Sequence, residues 1–142
     1  MILRENIDIK INAANKAAGL IYEIIKEEDK ITADREQFFV IALDPQTKVK
    51  YVELVAMGTA TECHTAAPEI FRRAIEKRAV QIVLAHNHPS GDQTPSEHDI
   101  KFTERITKAG DIIGIEVVDH IIVTNDGFYT SIMHGNRGKV DV

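Results

Sequence analysis

The sequence has few of the features that would place a chain outside the globular proteins. Cys63 is its only cysteine, which excludes an intrachain disulfide and a zinc site built from several cysteines. No stretch reaches 18 uninterrupted apolar residues, so we expect no membrane-spanning helix. Residues 1–6 lack the basic segment and apolar core of a secretory signal. These absences predict a cytoplasmic protein with no membrane partner.

Positive charge is also scarce. The chain carries 17 Lys and Arg against 22 Asp and Glu, a formal net charge of −5. Non-specific nucleic-acid binding requires Lys and Arg to neutralise phosphates, so we do not favour nucleic acid as a partner. A local basic patch would be the exception, and the candidate cluster also fits the solvated face of a helix. This cluster consists of Arg72, Arg73, Lys77 and Arg78.

The length of 142 residues is that of one domain. Hydrophobic residues make up 44% and charged residues 27%, which is ordinary for a globular protein. We find no internal repeat, low-complexity tract or linker. We therefore predict a single domain over residues 1–142, with an N-terminal strand and helix in residues 1–30 and a mobile tail from about 134 to 142.

Apolar runs and turn residues predict an α/β fold. The predicted strands cover residues 7–11, 36–44, 48–57, 80–86 and 112–124, and the predicted helices cover 13–28, 68–78 and 96–109. Gly110 is predicted to end the last helix, and Asn125-Asp126-Gly127 predicts a hairpin turn. The helix before the strand at 80–86 predicts a β-α-β unit.

Two histidines stand at the end of one predicted strand. His86 and His88 are separated by one residue, so both imidazoles point to the same face, with Cα atoms roughly 6.5 to 7 Å apart. A loop with proline and glycine follows. Ser96 and Asp99 then have the spacing of a helix N-cap and its capping box, which turns Asp99 back toward the loop.

Two imidazoles and one carboxylate form a three-ligand set for a divalent metal. Such a set leaves a fourth position open, as in catalytic zinc sites. Zinc there lowers the pKa of water from about 15.7 to about 7, which makes hydroxide available near neutral pH. Each half of the pattern is common on its own in helix caps and strand ends, whereas the two together predict a metal site at His86, His88 and Asp99.

The spacing His86-x-His88, seven residues, Ser96, two residues, Asp99 resembles the motif of the JAMM (MPN/JAB) metalloproteases. The segment 88–92 is similar to the bacterial RadC-type branch of that family. The resemblance implies an MPN/JAB fold, a mixed, curved β-sheet flanked by helices with cytidine-deaminase-like layering. It also implies Zn²⁺ held by the two histidines and the aspartate, and hydrolysis of peptide or isopeptide bonds in a peptide or protein substrate.

The resemblance also implies two catalytic residues. Glu36 opens the strand whose counterpart carries the family's general acid/base, and Ser96 would stabilise the oxyanion. From the residues alone, an acid at a strand start is commonly a solvated end residue. Glu53 and Glu62 are the rival acids. Cys63 and His64 do not form a nucleophilic pair, because neighbours on an extended strand face opposite ways.

The resemblance extends from about residue 31 to about residue 124 and includes the stretch Asp119–Ile122. For Asp119 and His120 we leave two interpretations open: support for a zinc-bound histidine, or a polar pair at a strand crossing. His98 is expected to face solvent. The role of His134 and the oligomeric state, which could be a homo-oligomer, are open.

Three other functions compete with hydrolysis. Two histidines and a carboxylate also form the facial triad of non-haem Fe(II) oxygenases. A zinc deaminase would need a P-C-x-x-C signature, which a lone cysteine excludes. The third is a DNA-repair-associated or scaffolding RadC-like module. RadC-type proteins usually carry an N-terminal helix-hairpin-helix region, which the residues before the first core strand are too few to form.

Overall fold

The structure is a computed structural model that describes residues 3–59 and 64–141. These residues form a seven-stranded sheet and four helices, so the predicted mixed sheet flanked by helices is confirmed. The elements are β1 (Leu3–Glu5), α1 (Ala14–Lys26), α2 (Lys30–Ala33), β2 (Gln37–Leu43), β3 (Val49–Met57), α3 (Ala67–Glu76), β4 (Gln81–His88), α4 (Glu97–Ile113), β5 (Glu116–Thr124), β6 (Phe128–Ser131) and β7 (Arg137–Lys139).

The sheet has the strand order β1-β3-β2-β4-β5-β6-β7. β4 and β5 pair in parallel, and the other neighbouring strands pair antiparallel. Two β-α-β units meet at β4. The helix α3 connects β3 to β4 across the intervening β2, and α4 connects β4 to β5. The carboxyl end of β4 and the start of α4 are therefore joined by one short loop.

Helices cover both faces of the sheet, and β2 shows how the sequence divides between them. All seven residues of β2 are buried, as expected for a central strand. Phe39 and Ile41 belong to the core that contains α1, whereas Phe38 and Val40 belong to the core that contains α3 and α4. This alternation is the two-residue period of a strand.

The helix α4 is longer than predicted. Ser96 caps it, but it continues through Gly110 to Ile113 and ends at Gly114, whose φ of 90° lies in the left-handed region. Gly110 is buried, and a side chain at this position would collide with the carbonyl oxygen of Ile115, so the close approach requires glycine. The prediction that Gly110 ends the helix was wrong.

None of the helices in residues 3–59 and 64–141 is long and apolar enough to cross a membrane.

The predicted strand at residues 7–11 was also wrong. The edge strand is β1, and it pairs with β3. Asn6 adopts a φ of 56°, and the N–H of Ile9 donates to the carbonyl of Ile7, so the chain turns after β1. Only a single bridge, Lys10 to Lys48, follows. The alternating isoleucines matched a strand, but the backbone turn prevents a continuous ladder.

Residues 137–139 form the strand β7 within the segment from about 134 to 142, for which the sequence predicted a mobile tail. β7 pairs with β6, and the N–H of Val140 donates to the carbonyl of Gly127 at 2.7 Å. The Val140 side chain is buried in the α1 core. The segment after residue 134 contains Gly135 and Gly138, a composition typical of a loop, but Val140 packs this segment against the core. The predicted hairpin turn between β5 and β6 is confirmed.

Candidate metal centre

The two predicted histidine ligands lie at the end of β4. Their Nε2 atoms are 3.0 Å apart, so both imidazoles face one point as predicted from the strand period. His86 is buried and His88 is partly exposed. Phe38 of β2 lies opposite His86, and their rings stack with centroids 5.9 Å apart. The strand end therefore presents two nitrogen donors on a packed aromatic support.

Asp99 completes this group from the first turn of α4. Its Oδ1 lies 3.4 Å from Nε2 of His86, and its Oδ2 lies 3.5 Å from Nε2 of His88. In tetrahedral zinc sites with bonds of about 2.0–2.1 Å, neighbouring donor atoms are about 3.3 Å apart. The three side chains therefore already have the separations of ligands on a single ion.

Ser96 forms the capping box that holds Asp99. The backbone N–H of Asp99 donates to Oγ of Ser96 at 3.0 Å, and the backbone N–H of Ser96 donates to Oδ2 of Asp99 at 2.9 Å. The capping role predicted for both residues is confirmed. Because Ser96 uses its oxygen as the acceptor in this bond, its hydroxyl proton can be donated to another group.

Glu36 lies immediately before β2 and is 8% exposed. Its carboxylate and one nitrogen each of His86 and His88 lie within 4.8 Å of one another. Its backbone N–H donates to the carbonyl of Thr59, and its carbonyl accepts from the N–H of Gly58. The strand start therefore brings a buried carboxylate next to the two histidines.

Asn87, which separates the two histidines in sequence, holds the backbone on both sides of Glu36. Its Oδ1 accepts from the N–H of Gln37 at 2.6 Å, and its Nδ2 donates to the carbonyl of Arg35 at 3.0 Å. Asn87 is fully buried. One strand end thus presents two histidines and fixes the segment that carries the nearby acid.

Burial and hydrogen bonding set the charges of the group. Burial lowers the pKa of His86, which keeps this imidazole neutral. Burial also acts to lower the pKa of His88, but bonds to Asp99 and to the carbonyl of Asp92 outweigh it, so this pKa is raised. Burial opposes ionisation of Asp99, yet the two adjacent imidazoles favour its anionic form and lower its pKa well below the usual range. The group therefore combines an anion with a neutral imidazole.

Comparison with known proteins identifies the family. A family model described as RadC-like JAB domain matches residues 11–138. The chain belongs to the RadC-like JAB domain family. A UPF0758 protein of Desulforudis audaxviator is 38% identical over 125 residues, covering 88% of this chain and 52% of the relative. A UPF0758 protein of Moorella thermoacetica is 43% identical over 103 residues, covering 72% of this chain and 44% of the relative.

The chain thus spans about half the length of these curated relatives. A third relative, the UPF0758 protein of Clostridium beijerinckii, gives the same picture, with 39% identity over 123 residues, 87% of this chain and 52% of the relative. The names of the relatives specify no reaction. The family is therefore shown, whereas the reaction of this RadC-like JAB domain has to be argued from its site.

Of the two rival acids, the structure describes Glu53, which does not join the group. Glu53 is directed to α3, where its Oε2 accepts from Nε of Arg73 at 3.0 Å. Glu62 and Cys63 lie outside the described residues. His98 is exposed, as predicted, and its ring contacts His64 and Phe102 with centroid distances of 5.5 and 6.1 Å.

Asp119 and His120 point to opposite faces of the sheet, as neighbouring residues of a strand do, and a bulge at Val118 precedes them in β5. Asp119 lines a pocket on the α1 face with His134 and accepts hydrogen bonds from Ser131 and Met133. His120 contacts His86 on the metal-centre face, with their nearest nitrogens 2.8 Å apart. Of the two residues, His120 is therefore the one that contacts a histidine of this group.

Sequence reasoning missed four contributors to the site. Thr65 lines the cleft beside Asp99, and its buried hydroxyl has no hydrogen-bond partner in the described part of the chain. Thr103 contacts His120 from α4. The other two are Asn87 and Phe38. Only Asn87 carried a signal, since a residue between two histidines that share a face must point to the other face.

Proposed function

We propose that this RadC-like JAB domain is a zinc-dependent hydrolase of JAMM type that cleaves a peptide or isopeptide bond. The observation that carries the proposal is the convergence of His86, His88 and Asp99, with nearest-atom separations of 3.0, 3.4 and 3.5 Å. Glu36 adds a buried carboxylate beside them. Ligand set and nearby acid are the two components that metal-dependent hydrolysis requires.

The chemistry of the donors fits a zinc ion. Nδ1 of His88 lies 2.8 Å from the carbonyl oxygen of Asp92, which can only accept, so His88 carries its proton on Nδ1. In the neutral ring Nε2 then presents a lone pair to the group. Lone pairs of two imidazoles and a carboxylate directed at one point form a donor set for a cation, and zinc prefers nitrogen and carboxylate oxygen donors.

Each residue then has one role in the proposed reaction. Zn²⁺, when bound, supplies a Lewis acid that activates water and polarises the scissile carbonyl. Glu36 accepts a proton from the attacking water and delivers it to the leaving nitrogen, so the C–N bond breaks after the C–O bond forms. Ser96 would donate a hydrogen bond from its hydroxyl to the carbonyl oxygen as negative charge develops there.

Iron is the main rival metal, because the same donors form the facial triad of oxygenases. Metal analysis of protein purified without oxygen separates the two reactions. We expect zinc to be retained and iron to be absent or weakly held. Stoichiometric iron, together with oxygen consumption, would replace the hydrolase proposal by an oxygenase.

Nucleic-acid binding receives little support from the basic cluster. Arg73 pairs with Glu53, Arg72 pairs with Glu69, and Lys77 lies 3.6 Å from a carboxylate oxygen of Glu5. These partners offset positive charge that would otherwise attract phosphates. We expect the protein not to be retained on DNA at physiological salt. Strong retention that falls with salt would favour the nucleic-acid function.

The substrate is best sought without assumptions about its sequence. We propose to incubate the wild-type protein and the Glu36→Gln variant with a native cell lysate and to compare the new peptide termini by mass spectrometry. We expect fragments that form only with the wild-type protein and that disappear when a chelator is added. Identical fragment sets from both proteins would contradict the proposed peptidase activity.

A further inference from the structure

Three buried side chains, His86, His120 and Thr103, form a row of hydrogen bonds that starts at His86. Nδ1 of His86 lies 2.8 Å from Nε2 of His120, and Nδ1 of His120 lies 2.6 Å from Oγ1 of Thr103. Oγ1 of Thr103 lies 2.7 Å from the carbonyl oxygen of Asp99. Each of His86, His120 and Thr103 is at most 3% exposed. Water therefore has little access to these hydrogen bonds. Each donor in them must find its acceptor among the same groups.

The hydrogen bond from Thr103 to the Asp99 carbonyl determines where the other protons lie. Two oxygen atoms 2.7 Å apart require a proton between them, and only the Thr103 hydroxyl can supply it to the Asp99 carbonyl. Oγ1 of Thr103 must then accept from Nδ1–H of His120. A neutral imidazole has a single N–H, so with its proton on Nδ1 the His120 ring accepts through Nε2, which lies 2.8 Å from Nδ1 of His86. His86 therefore donates through Nδ1–H.

This arrangement leaves Nε2 of His86 without a proton, directed at His88 and Asp99. A second arrangement uses the same number of protons. If the Thr103 hydroxyl donated to His120 instead, Nε2–H of His120 would donate to His86. Nε2 of His86 would then carry a proton and donate it to His88 at 3.0 Å. Only the first arrangement makes His86 a metal ligand.

We propose that Thr103 and His120 are positioning residues that hold His86 in its metal-binding tautomer. The inference rests on the proposed metal-binding function. It gives α4 two roles, since the Asp99 carboxylate is a ligand while the Asp99 carbonyl sets the tautomer of another ligand through Thr103. Partners of this kind orient metal-bound histidines in many metal sites, and their loss typically weakens metal binding 10- to 100-fold.

The helix offers a matched control for Thr103. Thr107 lies one turn later, and its hydroxyl donates to the carbonyl of Thr103 at 2.7 Å, the same bond to the fourth preceding residue. Within the described part of the chain, Thr107 forms no hydrogen bond to a histidine. Thr103→Val and Thr107→Val therefore remove the same hydroxyl, with the same change in shape, but only the first disturbs His120.

The test compares these two variants with the wild-type protein. Zinc affinity is measured by competition with a chromophoric chelator. The tautomer of His86 is measured separately, by ¹⁵N NMR of the histidine rings in the metal-free proteins. For Thr103→Val we expect about 10- to 100-fold weaker zinc binding and a shift of the His86 proton from Nδ1 toward Nε2. For Thr107→Val we expect both quantities to match the wild type.

Two variants of His120 test the hydrogen bond between His120 and His86. Oε1 of a glutamine can accept from Nδ1–H of His86, whereas phenylalanine offers no acceptor. We expect His120→Gln to retain more zinc affinity than His120→Phe, even if both lower the melting temperature. A purely structural role for His120 would instead make the loss of affinity follow the loss of stability.

The outcomes distinguish this inference from the proposed function. If the wild-type protein binds zinc and Thr103→Val matches Thr107→Val in affinity and tautomer, the positioning role is wrong while the metal site stands. If the wild-type protein binds no metal, the proposed function is wrong. The NMR measurement then still decides whether Thr103 sets the tautomer, because it is made without metal.

Discussion

Oδ1 of Asn87 accepts a hydrogen bond from the backbone N–H of Gln37 at 2.6 Å, across 50 positions of sequence. The bond joins the residue between the two histidines to the residue that follows Glu36. Together with the bond from Asn87 to the Arg35 carbonyl, it fixes the backbone that carries the proposed general base. A substitution of Asn87 should therefore lower turnover more than it lowers zinc affinity.

We expect Asn87→Ala to lower turnover strongly while zinc remains bound. It would leave the N–H of Gln37 and the carbonyl of Arg35 without their partner, at a cost of about 1–3 kcal/mol for each buried group. Asn125→Ala is the control, because Asn125 donates to Ala33 in the same segment and touches Asn87 only through a long bond of 3.5 Å, without a bond to the backbone beside Glu36. Turnover, zinc content and the free energy of unfolding should be measured for both. Equal effects on turnover would contradict the positioning of Glu36 by Asn87.

Glu36→Gln separates a general base from a metal ligand. Glutamine keeps the shape of the side chain but cannot take up the proton, so we expect a loss of about 10²- to 10⁴-fold in turnover with unchanged zinc affinity. Glu53→Gln is the control, since Glu53 pairs with Arg73 instead. If Glu36→Gln lost its zinc, Glu36 would be a ligand. If it kept its activity, the base would be another residue.

Two helical glycines should respond oppositely to alanine. At Gly19 in α1 the nearest atom to an added Cβ is 3.9 Å away, so Gly19→Ala should stabilise the protein by up to about 1 kcal/mol through helix propensity. At Gly110 the Cβ would collide with the carbonyl of Ile115, so Gly110→Ala should destabilise it by about 1–3 kcal/mol. Chemical denaturation measures both. Stabilisation by Gly110→Ala would contradict the close approach.

Zinc affinity should fall as the pH is lowered. His88 must be neutral to bind metal, and its raised pKa means that a proton competes at a higher pH than for an ordinary histidine, whose pKa is about 6.5. His86, with its lowered pKa, adds little to this competition. Calorimetry in buffers of different ionisation enthalpy should detect proton release on zinc binding below the His88 pKa. Affinity independent of pH would exclude His88 as a ligand.

The convergence of His86, His88 and Asp99 could be predicted from the sequence because local rules position these side chains. The strand period aligned His86 with His88, and the capping box oriented Asp99. Glu36 required the family resemblance, since it reaches the site through the pairing of β2 with β4. No rule of local spacing connects positions so far apart.

The surroundings of the ligands could not be predicted, for the same physical reason. Thr103 and His120 meet His86 only through the register of β4 and β5, and the bulge at Val118 decides which neighbour faces the site. The sequence predicted that Gly110 ends α4, whereas Gly110 permits the close approach of the Ile115 carbonyl and the helix continues. Tertiary packing decides such positions.

Zinc binding to the purified protein tests the central claim most directly. Metal-free wild-type protein and the His86→Ala, His88→Ala double variant should be titrated with Zn²⁺, with bound metal counted by mass spectrometry and the melting temperature followed. We expect the wild type to bind one ion per chain and to melt at a higher temperature, and the double variant to do neither. A wild-type protein that binds no stoichiometric metal would contradict the proposed function.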